Sequence, residues 1–395
     1  MWKKIEGGIT KPQGFLASGV HAGFKKAKLD LALLSFENTV SAGVFTQNAF
    51  AASPVKLTKK HLALGNLKAL VVNSGNANAC TGLQGDNNAY LTAKIAADML
   101  KIKPEDVAVS STGVIGQQLD METMKSGLLT ATSTLSKEGA NDFALAIMTT
   151  DTYPKEITLE CTIDGTTYSL SGVAKGSGMI HPNMATMLCF ITTDWPIDQI
   201  TLQSYLKEAV EESFNAISVD GDTSTNDMCL IFSSQILPKP AKEKETIFLD
   251  GLKKICGYLA KTIVLDGEGA TKLLQIKVQN ALSQEDAKLA AKAVAHSPLV
   301  KTAFFGEDAN WGRILCAVGY SGSTVDPNKT DLYLGNWQIV KNGQGTDISE
   351  SVLAPILKER EIEITIDLNL GDSEYIFQTT DLSYDYVKIN GSYRS

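Results

Sequence analysis

Lys175-Gly176-Ser177-Gly178-Met179-Ile180-His181-Pro182-Asn183-Met184-Ala185-Thr186-Met187-Leu188-Cys189-Phe190 runs a glycine-rich, proline-stopped loop directly into an apolar strand. The junction falls at Ala185-Thr186. A hydroxyl residue placed there can attack the carbonyl that precedes it, because strain in a tight loop offsets the cost of leaving planar amide geometry. Scission leaves a threonine that carries nucleophile and base together. Its free α-amine titrates near about 7.7 to 8.0, well matched to take the hydroxyl proton. Threonines that begin strands are commonly structural, so this segment by itself leaves both readings open.

Around this segment, short apolar runs alternate with longer helix-compatible stretches. Leu70-Val71-Val72, Val107-Ala108-Val109, Leu188 to Thr193, Met228 to Ser233 and Leu273 to Val278 read as strands. Asn87 to Leu100, Leu119 to Leu135, Thr201 to Phe214, Lys254 to Val264 and Gln284 to Ala295 have helical length, and Ser283 is a fitting N-cap before an acidic first turn. The fold class is therefore mixed α and β. Glu361 to Leu370 alternates strictly, and Gly371-Asp372-Ser373 turns the chain into Glu374 to Thr380, which predicts an antiparallel hairpin. Pro238-Lys239-Pro240 marks a surface loop.

Composition narrows the function. A chain of 395 residues, 44% hydrophobic and 20% charged, can bury one large core or two. The net charge of −8 comes without basic clusters, which argues against nucleic acid as a partner. No apolar run approaches the roughly 20 residues that span a bilayer. Met1-Trp2-Lys3-Lys4-Ile5-Glu6-Gly7-Gly8 does not read as a secretory signal, so a cytoplasmic location is expected.

The six cysteines are far apart and read as reduced core thiols, and the four histidines stand singly. No GxGxxG, GxxxxGK[ST], GxSxG or HExxH occurs. Asp220-Gly221-Asp222-Thr223-Ser224-Thr225-Asn226-Asp227 lacks the glycine and glutamate of a calcium loop and reads as a polar turn. No metal is expected.

Lys175 to Thr193 resembles the self-cleavage segment of the ornithine acetyltransferases, or bifunctional glutamate N-acetyltransferases, of arginine biosynthesis. Asn73 to Gly82, Ser111-Thr112-Gly113-Val114-Ile115-Gly116, Met148-Thr149-Thr150-Asp151-Thr152, Asp220 to Asp227 and Gly306 to Arg313 resemble that family's segments in the same order. The resemblance implies a self-processing, N-terminal-nucleophile-like layered fold, cut between Ala185 and Thr186. It makes Thr186 the nucleophile and gives Thr112 and Gly113 to the oxyanion, where one well-placed donor is worth about 10²–10³ in rate. After the strand that ends near Ser111, a turn at Thr112-Gly113 is the expected carrier of those donors.

By the same resemblance Thr149, Lys175, Glu268, Asn390 and Ser395 contact substrate, with Thr150 as the alternative to Thr149. A lysine there binds a carboxylate as a point charge. Glu268, set between Gly267 and Gly269, meets the substrate amino group, and the chain terminus folds over the site. The chemistry implied is ping-pong: Thr186 takes acetyl from N-acetylornithine, ornithine leaves, and glutamate accepts the acetyl group. No cofactor is implied, although acetyl-CoA is a co-substrate of some members. Met1 to Ala185 and Thr186 to Ser395 are expected to stay together and assemble as two alpha and two beta chains. An amidohydrolase or aminopeptidase on the same self-cleaving fold is the alternative.

Overall fold

A computed structural model describes residues 1–181 and 187–392. They form two compact units, one of residues 1–215 with 222–263, the other of residues 216–221 with those from 264 onward.

The first unit holds two sheets. One has six strands in the order Lys3–Ile5, Lys155–Ile163, Thr166–Lys175, Leu188–Thr193, Met228–Ser234 and Thr39–Phe45. The other has four, in the order Phe15–Val20, Leu31–Phe36, Ala69–Asn76 and Val107–Val114. Every residue of Leu188–Thr193 and of Met228–Ser234 is buried. Such continuous burial requires cover on both faces of a sheet.

One face of the six-stranded sheet presents Val173, Phe190, Leu230 and Phe232 to Phe15, Leu34, Phe36, Leu70 and Val72 of its neighbour, with the Phe36 and Phe232 rings 4.4 Å apart. On its other face, a Cβ at Gly172 would sit 2.6 Å from Ile255, so helix Glu245–Leu265 lies directly against the strands. The outer face of the four-stranded sheet carries Leu31, Leu33, Val71, Val107 and Val109 against helices Gly82–Leu100 and Met121–Ser133. The alanines Ala93, Ala96 and Ala97 let the first of these approach closely. The layers are thus helix, sheet, sheet, helix, and the class is mixed α and β as expected.

The second unit is built on a six-stranded sheet ordered Gln344–Gly345, Trp337–Lys341, Asp331–Leu334, Glu361–Asp367, Leu273–Ala281 and Ser373–Thr380. Helix Gln284–His296 covers it through Ala287, Ala290, Ala291 and Val294, and Ser283 caps that helix by accepting from the Asp286 N–H. Here the expected C-terminal hairpin is corrected. Both strands exist, but Leu273–Ala281 lies between them, parallel to Glu361–Asp367 and antiparallel to Ser373–Thr380. Strict alternation specifies which face of a strand is wet; it does not specify the neighbour along the hydrogen-bonding edge.

The other predicted strands and helices are present, most of them longer than read, as with helix Gly82–Leu100 against an expected start at Asn87. The thiol reading needs a correction as well. Cys161, Cys189, Cys229 and Cys256 are buried, whereas Cys80 and Cys316 are exposed. No helix of the described residues is long and apolar enough to cross a membrane.

Candidate active site

Register brings the site together. Lys175, the last residue of its strand, pairs with Leu188, and Leu188 pairs on its other side with Met228. The residues just before these two strand starts, Met187 and Asp227, are therefore neighbours, and the Met228 N–H donates to the Met187 carbonyl at 3.2 Å. The loop closing this corner carries the Ala185-Thr186 junction, and both residues lie outside the described ones. Within the described part of the loop, Met179 holds φ at 57°. That left-handed conformation costs a non-glycine residue roughly 1–2 kcal/mol.

Thr112 and Gly113 do not form the expected turn. Strand Val107–Val114 continues through both, because the parallel pairing with Ala69–Asn76 runs on to Gly75↔Gly113 before the register shifts at Asn76. Gly113 has φ of 133°, and a Cβ there would lie 2.3 Å from the Gly75 carbonyl carbon and 2.5 Å from the Asn76 nitrogen. Asparagines hold this bulge: Asn73 Nδ2 donates to the Asn76 carbonyl at 2.8 Å, and Asn76 Oδ1 accepts from the Asn78 N–H at 2.8 Å. The asparagine-rich segment thus satisfies backbone groups that the interrupted ladder leaves unpaired. Gly113→Ala is expected to cost on the order of 3 kcal/mol, through backbone strain and overpacking. Urea denaturation checks this, and an unchanged midpoint would contradict the close approach.

Thr112 faces a charged cluster. Lys175 Nζ lies 3.5 Å from Thr112 Oγ1 and 3.9 Å from Asp151 Oδ2. Asp151 also takes Lys155 Nζ at 2.6 Å, the Gly176 N–H at 2.7 Å and the Thr149 N–H at 2.9 Å. Burial alone would raise the Asp151 carboxyl, but the Lys175 and Lys155 ammoniums and these donors hold it well below the usual carboxylate range. The segments that carry Thr149, Lys155 and Lys175 are thereby pinned to one carboxylate. The Thr150 hydroxyl is engaged with Ser177 Oγ at 2.7 Å, whereas Thr149 meets Asp151 through its backbone.

Lys25 completes the cluster and was not singled out from the sequence. Its Nζ donates to the Met148 carbonyl at 2.6 Å and to the Leu29 carbonyl at 3.0 Å. Burial, offset in part by Asp30 and reinforced by Lys175, pushes its pKa down to about 8. Asn226 is a second addition, donating from Nδ2 to the carbonyls of Ala77 at 2.6 Å and Ser111 at 2.8 Å. The segment Asp220 to Asp227 is irregular, as a polar turn should be, yet its last three residues are buried.

Glu268 and Asn390 meet each other in the second unit, where Asn390 Nδ2 donates to Glu268 Oε2 at 2.9 Å. The loop around Gly269 is tied to helix Tyr384–Ser392 by Ser383, whose hydroxyl donates to the Gly269 carbonyl at 2.6 Å. The C-terminal segment is thus anchored to the Glu268 loop; Ser395 lies outside the described residues. Among the described residues no group of histidine, cysteine, aspartate and glutamate side chains is arranged to hold a metal.

The model of the ArgJ family matches residues 16–395. Relatives named arginine biosynthesis bifunctional protein ArgJ include one from Symbiobacterium thermophilum, 48% identical over 99% of both chains. Another, from Bacillus subtilis, is 46% identical over 99% of this chain and 98% of its own length. A crystal structure of an arginine biosynthesis bifunctional protein from Bacillus halodurans is 42% identical with a TM-score of 0.51, and covers 53% of this chain and 100% of the solved one.

Proposed function

The chain belongs to the ArgJ family, and from that membership we propose that it transfers acetyl from N2-acetyl-L-ornithine to L-glutamate after cutting itself before Thr186. The observation that carries this reading is the Lys175 ammonium 3.5 Å from the Thr112 hydroxyl, at the corner from which the Thr186 loop departs. Such a corner supplies a cation for a substrate carboxylate and a hydroxyl for the developing oxyanion. Thr149 and Lys25 border the same cluster.

Cleavage fits the architecture. Strands Thr166–Lys175 and Leu188–Thr193 pair across the loop, and Met228–Ser234 pairs with Thr39–Phe45. Residues 1–185 and 186–395 therefore share one sheet, and cutting the loop removes none of these ladder bonds. The Bacillus halodurans chain, all of which is matched, spans 53% of this one, the same share that the 210 residues from Thr186 to Ser395 make of 395.

In the mature protein the Thr186 α-amine takes the hydroxyl proton, Oγ attacks the acetyl carbonyl, and ornithine departs with a proton. Glutamate then takes the acetyl group from the threonine ester. Acetyl-CoA enters as an alternative donor to the same hydroxyl, no cofactor is required, and two alpha and two beta chains make up the cytoplasmic enzyme.

The test supplies N-acetylornithine with and without glutamate. N-acetylglutamate forming in step with ornithine is expected, with free acetate a minor product. Acetate released at the same rate whether or not glutamate is present would replace this reading with an amidohydrolase.

A further inference from the structure

Lys25 grips one end of a peptide group whose other end is gripped by Asp151. The lysine Nζ donates to the Met148 carbonyl at 2.6 Å, and the N–H of the same peptide unit, that of Thr149, donates to Asp151 Oδ2 at 2.9 Å. A single planar group is thus held by an ammonium at its oxygen and by a carboxylate at its nitrogen. Each bond has an ionised partner, which makes it roughly twice as strong as a neutral one. Rotating the plane would break both bonds, and the plane sets the direction in which Thr149 carries its side chain.

The lysine is itself fixed from behind. Asp30, 0% exposed, accepts from the N–H groups of Ala22 at 2.6 Å, Gly23 at 3.1 Å and Lys25 at 2.8 Å. The Lys25 ammonium also donates to the Leu29 carbonyl at 3.0 Å. A Cβ at Gly75 would lie 3.1 Å from the Phe24 carbonyl oxygen and 3.4 Å from Lys25 Cγ, so this loop rests on the strand that pairs with Thr112 and Gly113. Lys25 therefore joins that strand to the segment carrying Thr149.

A latch between carbonyls needs no charge. Asn226 joins the carbonyls of Ala77 and Ser111 with a neutral amide. A partly buried ammonium near Lys175 is costlier than such an amide, because desolvation and like charge both oppose it. What the charge adds is a firmer hold on the Met148 carbonyl.

We propose that Lys25 is a positioning residue for substrate, fixing through the Met148–Thr149 peptide the direction in which Thr149 meets N-acetylornithine. This rests on the transfer reading above. The lysine acts through Thr149 and takes no part in bond making or proton transfer.

Lys25→Met keeps an aliphatic stem against Gly75 and removes the donors. At saturating glutamate, a KM for N-acetylornithine about 10-fold higher or more is expected, with kcat within about twofold of wild type. A group that binds substrate and transition state alike moves KM alone when it is displaced. A wild-type KM in this variant, or a fall in kcat with KM unmoved, would overturn the assignment and leave the transfer reading in place. Wild-type protein that turns over no N-acetylornithine would overturn both.

A pH profile gives a second readout. The charged groups facing the ammonium are Asp30 and Lys28 of its own loop, Asp151, and Lys175 of strand Thr166–Lys175. Burial, eased by Asp30 and Asp151 and reinforced by the two lysines, brings its pKa down to about 8. The charged clamp is therefore complete below that pH and weakens above it. Between about pH 7 and about pH 9 the wild-type KM should climb more steeply than that of Lys25→Arg, whose guanidinium stays charged throughout. This comparison decides the matter should Lys25→Met fail to fold, since parallel profiles for the wild type and Lys25→Arg would reject the assignment.

Discussion

Thr186→Ala is expected to give a single uncut chain of 42.4 kDa with no detectable acetyl transfer. Two losses combine in this one change. Without the hydroxyl nothing attacks the Ala185 carbonyl, so the α-amine that serves as proton acceptor is never released; without the amine, no base accompanies any nucleophile. Removing a residue that acts as both members of a catalytic pair lowers turnover on the order of 10⁶-fold in comparable acyl-transfer sites, which places the variant at background. Intact mass and the initial rate of N-acetylglutamate formation measure the two effects separately. Thr112→Ala is the informative contrast. It removes one donor to the oxyanion and leaves the nucleophile, so cleavage and transfer should slow by about 10²–10³ and not vanish. Fragments from the Thr186 variant in wild-type yield would remove the threonine from the mechanism.

Much of the fold was legible because its strands are short and apolar enough to admit one reading. Leu188 to Thr193 was read at its observed bounds, and Met228 to Ser233 one residue short. Sheet order was not legible: Glu361–Asp367 and Ser373–Thr380 were both recognised, but the strand between them comes from almost ninety residues earlier in the chain. The site divides in the same way. Thr112, Gly113, Thr149 and Lys175 are named by resemblance, and the fold of the first unit sets Thr149 and Lys175 on Asp151, Thr112 against Lys175, and Gly113 at the bulge beside Thr112.

Lys25 was missed because nothing local distinguishes it. Lys25 sits in a run with Lys26 and Lys28 that reads as a wet surface, and only the carbonyls of Leu29 and Met148 converge to bury its ammonium. Asp227 closes a polar stretch, and its burial follows from parallel pairing of the next residue, Met228, with Leu188. Asp151 enters the sequence reading only within the segment Met148 to Thr152; the pairing of Lys155 with Ala174 and the position of Lys175 turn it into the centre of the cluster.

The second large effect is expected at Asp151. Its carboxylate and the Lys155 ammonium are 2.6 Å apart and both side chains are 0% exposed. Asp151→Ala would take from the buried Lys155 ammonium its carboxylate at 2.6 Å and would release the Thr149 and Gly176 N–H groups. Breaking a buried pair from one side costs about 3–5 kcal/mol, since the desolvation of the remaining ion is no longer offset. The measurement belongs in the uncut Thr186→Ala background, where a continuous chain permits urea denaturation to be read as one equilibrium.

The pH dependence has a definite sign. Because the folded carboxyl is held below its unfolded value of about 3.9, it stabilises the fold above that pH, and its contribution is lost as the medium is acidified further. The deficit of Asp151→Ala should therefore be full at pH 7 and narrow steadily below about pH 4. A deficit that is small at pH 7, or that stays constant down to pH 3, would mean that the carboxylate is not what holds Thr149, Gly176 and Lys175 in place. Cleavage in the otherwise wild-type chain should fall with the same substitution, because Gly176, held by Asp151, begins the loop that carries the Ala185-Thr186 junction.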